Sequence, residues 1–374
     1  MTSLFFFGSL RDQELLEIVL GRVVDPGDLR PATAPGFATR TLADEAYPHL
    51  SASRDAVAEG VLATGLSAAD IHRLKYFEED EYDLAPLVVQ TAVGAEDAHY
   101  FRTTGKAPES NGLWDYGKWV RDEREVALAA AEELMAHIDI VPVGDIDSIW
   151  PGVMIRARMR ARARTAAVVP DTIRHGWTRE DVESLAIDRP YTQFFAVEEH
   201  RLRHRLNDGG WSAPIDRTVF TSGDAVTVLP YDPATGHVLL IEQFRAAAYA
   251  RGDHNPWSIE VIAGRIDHEL DPEVCARREA REEAGLDLDR IEQVAAYYSA
   301  PGFAAEHITS YVAAADLSGQ GGVFGLAVEN EDIRAFTVPL EDALAAIGTG
   351  EINNGPAILS LLWLQGNAAR LKTG

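Results

Sequence analysis

The hydrophobic and polar positions divide this chain into segments of different period. SLFFF, residues 3–7, is an unbroken apolar run stopped by Gly8 and Ser9, and it reads as a buried strand. RDQELLEIVLG follows with helical spacing, and EGVLATGL and PLVVQTAV read as strands. DYGKWVRDEREVALAAAEELMAH predicts one long helix. Pro151–Gly152 reads as a break. In VMIRARMRARARTAA, Arg156, Arg158, Arg160, Arg162 and Arg164 alternate with small or apolar residues. Period two favours a strand, whereas Ala, Arg and Met favour a helix; we read a helix that connects two domains and is solvated or faces acidic groups. Beyond Pro170, FFAVEEHRLRHRL, AVTVLPYD and HVLLIEQF predict strands, with a hairpin turn over Pro233 to Gly236. ITSYVAAADL and IRAFTVPL add strands, and PAILSLLWLQGNAARLK predicts a closing amphipathic helix. The expected organisation is a domain over 1–147, an arginine-rich connector over 148–170 and a second domain over 171–374.

Charge narrows the partners. A formal net charge of -25 on 374 residues argues against nonspecific binding to DNA or to anionic membranes. It leaves room for a phosphate substrate, because a bound divalent cation reverses the local field. Cys275 is the one cysteine, so no internal disulfide forms, which fits a reducing compartment. MTSLFFFGSL lacks the basic start of a signal peptide, and no stretch approaches the roughly 18 apolar residues of a membrane span. A cytoplasmic location is expected. His200 and His204 are four apart, but on a strand that spacing spans about 13 Å, too far for one ion to join both.

The segment GRIDHELDPEVCARREAREEAGL carries the chemistry. Pro272 is placed to open a helix running to about Ala284, and Gly285 to end it. Glu279 and Glu283 then stack on one face with Glu282 beside them. Like charges so placed repel. Either Arg277, Arg278 and Arg281 neutralise them as surface ion pairs, or the face holds a hard cation such as Mg²⁺ or Mn²⁺.

The spacing resembles the Nudix box, G-x(5)-E-x(7)-R-E-U-x-E-E-x-G-U with U aliphatic. Gly264, Arg278, Glu279, Ala280, Glu282, Glu283, Gly285 and Leu286 fit it. The first glutamate of the box falls on Leu270, with Glu269 adjacent. In the family that glutamate supports the helix through an ion pair, so weakened support is expected, not lost chemistry. The flanks IEQFRAAAY, SIEVIAGRID, SAPGFAAEH and VENEDIR resemble, in that order, ADP-ribose pyrophosphatases of this family, and Pro301 lies sixteen residues beyond Gly285 as in that subfamily. The resemblance implies an α/β/α sandwich and a homodimer through this domain. It also implies divalent-ion ligation by the Ala263 carbonyl, Glu279, Glu283 and Glu331. Glu282 and Glu329 are implied as catalytic carboxylates, Glu329 as the base; the roles of Glu329 and Glu331 are exchangeable. Arg245 and Glu306 are implied to face the substrate, Phe194 or Phe195 to stack on adenine, and Arg217 to assist. The implied reaction is Mg²⁺-dependent hydrolysis of ADP-ribose to AMP and ribose 5-phosphate. Two alternatives stand beside it: another nucleoside diphosphate sugar, or a ligand-sensing or scaffold protein with a degenerate site.

In the first half, FFFGSL is a strand, a Gly-Ser turn and a helix, and YFEEDEYDLAPLVV places an acidic turn before a strand. Together they resemble the gamma-glutamylcyclotransferase-like family, a small mixed β-barrel with helices. Phe7, Gly8, Ser9 and Leu10 match its substrate loop, and Phe77, Glu78, Glu79 and Tyr82 match its Y-E-G-x-x-Y segment. The resemblance implies that Glu78 is the general acid/base. Glu79 replaces the family's glycine, and Leu84 stands where an arginine is common. The fused pair resembles bacterial tellurite-resistance fusion proteins, a label that names a phenotype and not a reaction. The whole is expected to be α+β.

Overall fold

A computed structural model describes residues 2–42, 48–79, 82–103, 110–166, 172–267, 271–326 and 331–372. The chain forms two compact units, 1–168 and 169–374.

The first unit contains β1 (Thr2–Phe6), α1 (Gln13–Leu20), β2 (Leu29–Leu42), β3 (Pro48–Leu66), α2 (Ala68–Glu78), β4 (Tyr82–Thr91), β5 (Gly94–Thr103) and β6 (Ser110–Leu113), then α3 (Tyr116–Asp122), α4 (Arg124–Leu134) and α5 (Ile146–Thr165). The strand order is β3-β1-β5-β4-β2-β6, and β3 also pairs with β2, so the first five strands close into a barrel. The run SLFFF is continuous because both faces of β1 are buried. Phe5 and Phe7 fill the barrel with Leu62, Leu87 and Val89, while Leu4 and Phe6 pack outward on Leu15, Leu16 and Val19 of α1.

Two helical expectations change. The long helix over 115–137 is broken at Glu123, whose φ of -123° leaves the helical range and caps α4. Arg124 there binds Asp12 and Glu14 across the unit, a tertiary contact that local propensity does not encode. Pro151–Gly152, read as a break, lies inside α5. Ile149 before it and Val153, Ala157 and Ala161 after it all pack on Val126, Ala129 and Ala130 of α4, which holds both halves of α5 in line. The alternating arginines resolve at helical period: Arg156 and Arg160 both bind the fully buried Glu133, and Arg164 binds Glu132.

The second unit contains β7 (Val182–Thr192), β8 (Ala196–His204) and β9 (Ile215–Thr221), which form a small antiparallel sheet. There follow β10 (Ala225–Asp232), β11 (His237–Phe244), α6 (Ala246–Arg251), β12 (Trp257–Glu260), β13 (Ile262–Arg265), α7 (Pro272–Ala284), β14 (Ile291–Tyr298), β15 (His307–Ala314), β16 (Gly322–Phe324), β17 (Ile333–Pro339), α8 (Leu340–Thr349) and α9 (Gly355–Leu371). The main sheet runs β14-β15-β10-β11-β17-β16. On one face Val226, Val228, Leu239 and Ile241 meet Cys275, Ala276 and Ala280 of α7. On the other Leu229, Tyr231, Val238 and Leu240 meet Leu361 and Leu364 of α9. This is an α/β/α sandwich. Strands β10 and β11 pair only where their turn joins them; beyond it they diverge, β12 pairing with β11 and β13 with β10. The bent β12–β13 segment thus lines a notch in the sheet, and α7 docks beside it.

Candidate active site

Helix α7 presents its carboxylates to that notch. Asp271 caps its start by accepting from the Glu273 N–H at 2.8 Å, Pro272 takes the first position, and Gly285 ends it at φ 62°. Cys275, Ala276 and Ala280 turn inward, so the opposite edge, with Glu279 and Glu283, meets β13. Glu283 is buried and accepts from the Ala263 N–H at 3.0 Å. Glu279 lies flat on Gly264: a Cβ there would sit 2.0 Å from its carboxylate, so only glycine admits it. Of the three helix arginines, Arg277 turns to Glu273 and Arg281 to Asp287. Only Arg278 serves the cluster, reaching Glu279 at 3.0 Å, Glu282 at 2.9 Å and Asp267 at 3.1 Å. Asp267 is a helix support that the sequence pattern did not single out; Leu270 and Glu269 lie outside the described residues.

Too little positive charge remains for the carboxylates. Burial pushes Glu283 up to about 8, Glu279 and Glu331 adding to the rise, the Ala263 N–H and Arg245 opposing it. Burial likewise pushes Glu279 up to about 7, against Arg278, with Glu282, Asp267 and Glu331 adding. The Leu326 N–H donates to the Glu331 carboxylate at 3.3 Å. Glu329 lies outside the described residues.

The other expected residues divide. Arg245, at the end of β11, is forked onto Glu260 at 2.9 and 2.6 Å; Glu260 was not among the sequence candidates. Glu306 accepts a 3.4 Å bond from Ser222. Phe194 and Phe195 form an edge-on pair, Phe195 packs on Phe220, and the Arg265 guanidinium lies 4.0 Å from the Phe194 ring centre, which brings these rings to the residue after Gly264. Arg217 is exposed on β9, and its guanidinium donates to the Asp216 carbonyl at 2.8 Å. His200 and His204 lie on strand β8; His200 bonds Glu198 at 3.0 Å.

In the first unit, Gly8 and the short helical turn Ser9–Arg11 follow β1. A Cβ on Gly8 would meet the Pro48 ring at 2.5 Å, and Leu10 is buried. Glu78 ends α2, where burial and the neighbouring Glu79 push it up to about 7. Among the described residues no hydrogen bond or ion pair joins Glu78 to the Gly8–Leu10 turn. Glu79 takes φ 62° and ψ -173°, a region that costs a side-chain-bearing residue about 1–3 kcal/mol and suits glycine. The backbone thus keeps the glycine shape although the side chain has changed.

Residues 221–358 match the NUDIX domain model, and residues 4–121 match the model described as Gamma-glutamyl cyclotransferase, AIG2-like. The ADP-ribose pyrophosphatase of Escherichia coli (strain K12) is 39% identical over 203 residues, 54% of this chain and 97% of that protein. The chain belongs to the Nudix family. Its Nudix unit is that of a hydrolase, and its first unit is cyclotransferase-like in fold. The ADP-ribose pyrophosphatase of Haemophilus influenzae is 36% identical over 198 residues, 52% of this chain and 91% of that protein. The GDP-mannose pyrophosphatase of Salmonella paratyphi B is 36% identical over 149 residues, 40% of this chain and 77% of that protein.

Nudix hydrolases generally use divalent metal ions, and the donors of this Nudix site fit one. Glu279, Glu283 and Glu331 are hard oxygen donors that repel one another in a half-dry notch, the condition a divalent cation relieves. Among the described residues no three acidic, histidine or cysteine side chains are already gathered closely enough to hold an ion. No helix among those residues is long and apolar enough to cross a membrane.

Proposed function

We propose that the Nudix unit hydrolyses ADP-ribose to AMP and ribose 5-phosphate with Mg²⁺, Mn²⁺ serving as a substitute. The observation that carries this reading is the pair of the half-buried Glu279 and the buried Glu283 closed against Gly264 and Ala263, inside a region aligned along nearly the whole length of ADP-ribose pyrophosphatases. The Ala263 carbonyl, Glu279, Glu283 and Glu331 would hold the ions. When bound, these neutralise the diphosphate, polarise a P–O bond and lower the pKa of a water. Glu329 would take a proton from the attacking water, and the oxygen of the water would join one phosphorus as the bridging P–O bond breaks. Arg278 orients Glu279 and Glu282, so Glu282 acts through the helix. Phe194 or Phe195 offers a face to the base, and Arg245 offers unbonded N–H groups to phosphate. The likeness to a GDP-mannose pyrophosphatase favours a second reading, a different nucleoside diphosphate sugar. Release of AMP from ADP-ribose, compared with GMP from GDP-mannose, with and without Mg²⁺, separates the two. GMP release that exceeds AMP release overturns the first.

We also assign the Nudix unit a second copy of itself as partner. Strand β7 is exposed along its length and carries Val182, Leu185, Ile187 and Tyr191, each more than two-fifths exposed, a surface that a homodimer would cover. Sedimentation at micromolar concentration tests it; a monomer contradicts it. For the first unit, Glu78 is the proposed acid/base of a gamma-glutamyl cyclisation, with Gly8, Ser9 and Leu10 holding the substrate. Release of 5-oxoproline from gamma-glutamyl substrates is the assay.

A further inference from the structure

The notch contains a competitor for its own ion. Arg245 is a permanent cation whose field reaches Glu283 and Glu331, two of the carboxylates that would hold the divalent ion. Its guanidinium uses Nε and one Nη on Glu260, at 2.9 and 2.6 Å. The remaining N–H groups have no protein acceptor among the described residues. Glu260 is well placed to restrain it. Its side chain is only 13% exposed, and it ends β12 three residues before Ala263, whose N–H holds Glu283. Both ends of the competition are therefore fastened to the bent β12–β13 segment.

We propose that Glu260 is a positioning residue that clamps Arg245 at a fixed distance from Glu283 and Glu331, so that the arginine faces the diphosphate and does not collapse onto the carboxylates in place of the divalent ion. The inference rests on the divalent-ion reading of the site. Its physical content is that a two-point fork fixes a guanidinium in angle as well as distance, whereas a one-point contact lets it swing. A released arginine needs no water stripped from a metal ion to neutralise Glu283, so it would occupy the site before substrate arrives.

The test is Mn²⁺ binding to the full chain without substrate, followed by the loss of the free-ion paramagnetic resonance signal. Glu260→Gln and Glu260→Asp should both weaken Mn²⁺ binding, by about tenfold and at least threefold. Aspartate keeps the charge but is one methylene short of the fork, so it separates the clamp from a simple field effect. Arg245→Gln added to Glu260→Asp should restore binding to the wild-type value or better, because the competitor is gone. An unfolded variant would not be rescued in this way. If Glu260→Asp binds Mn²⁺ as wild type does while Glu260→Gln does not, only the field matters and the clamp is overturned. If the wild-type chain itself takes up no Mn²⁺, the divalent-ion reading fails, and the clamp with it.

Discussion

At the scale of single residues, Glu283 is held where its charge is least welcome. Its folded-state pKa lies above that of a free glutamate, so the folded chain binds this proton more tightly than the unfolded chain. That stabilisation is fully present below the unfolded value, about 4.3, and is lost as pH rises through about 8. In chelator, thermal melting should therefore fall in temperature across this window, and Glu283→Gln should flatten the fall. The variant should melt at or above the wild-type temperature at the upper end while hydrolysing nucleotide only at background rate. A variant that melts lower there would contradict the crowding argument. Glu79 supplies the opposite case, strain in the backbone. Glu79→Gly should stabilise the first unit by about 1 kcal/mol, the relief of a strained φ less the entropy of glycine, seen as a rise of about 2–4 °C in its melting transition. That Glu279 and Glu283 share one face of α7 was legible in the sequence, because helical spacing fixes it, whereas Gly264 entered only through the resemblance to the Nudix box. Glu260 and Asp267 were not legible, because each is an isolated carboxylate whose arginine partner is chosen by the tertiary fold.

At the scale of elements, legibility follows how local the cause is. Strands 225–232 and 237–244 and helix 272–284 appear where apolar period, hairpin turn and caps place them, since each is fixed by its own residues. The interruption at Glu123 and the continuation through Pro151 are set by partners in other elements and leave no periodic trace. The docking of α7 on β13 depends on one missing side chain. Gly264→Ala should keep the fold but push the Glu279 carboxylate aside, lowering hydrolysis at least tenfold, about 1.4 kcal/mol of barrier. Activity within twofold of wild type would show that Glu279 is free to move. The α4–α5 contact makes a separate demand. Glu133→Gln leaves the buried Arg156 short of its counter-charge and should cost about 3–5 kcal/mol in the first unit, measured by denaturant unfolding.

At the scale of the molecule, the described residues form separate cores, one set around the barrel and its helices and another on the two faces of the Nudix sheet. Glu78 lies in the first unit and the carboxylates of α7 in the second. Glu78→Gln conserves shape and should leave nucleotide hydrolysis within twofold of wild type; a tenfold loss would mean that the two units act together. The proposed diphosphate hydrolysis depends on the carboxylates of α7. The most direct test is the release of AMP and ribose 5-phosphate from ADP-ribose by the full chain, measured with Mg²⁺, with chelator, and in Glu283→Gln. Equimolar AMP and ribose 5-phosphate are expected from the wild type with Mg²⁺, and background levels in the other two. Equal turnover by wild type and Glu283→Gln, or turnover untouched by the chelator, would contradict that dependence.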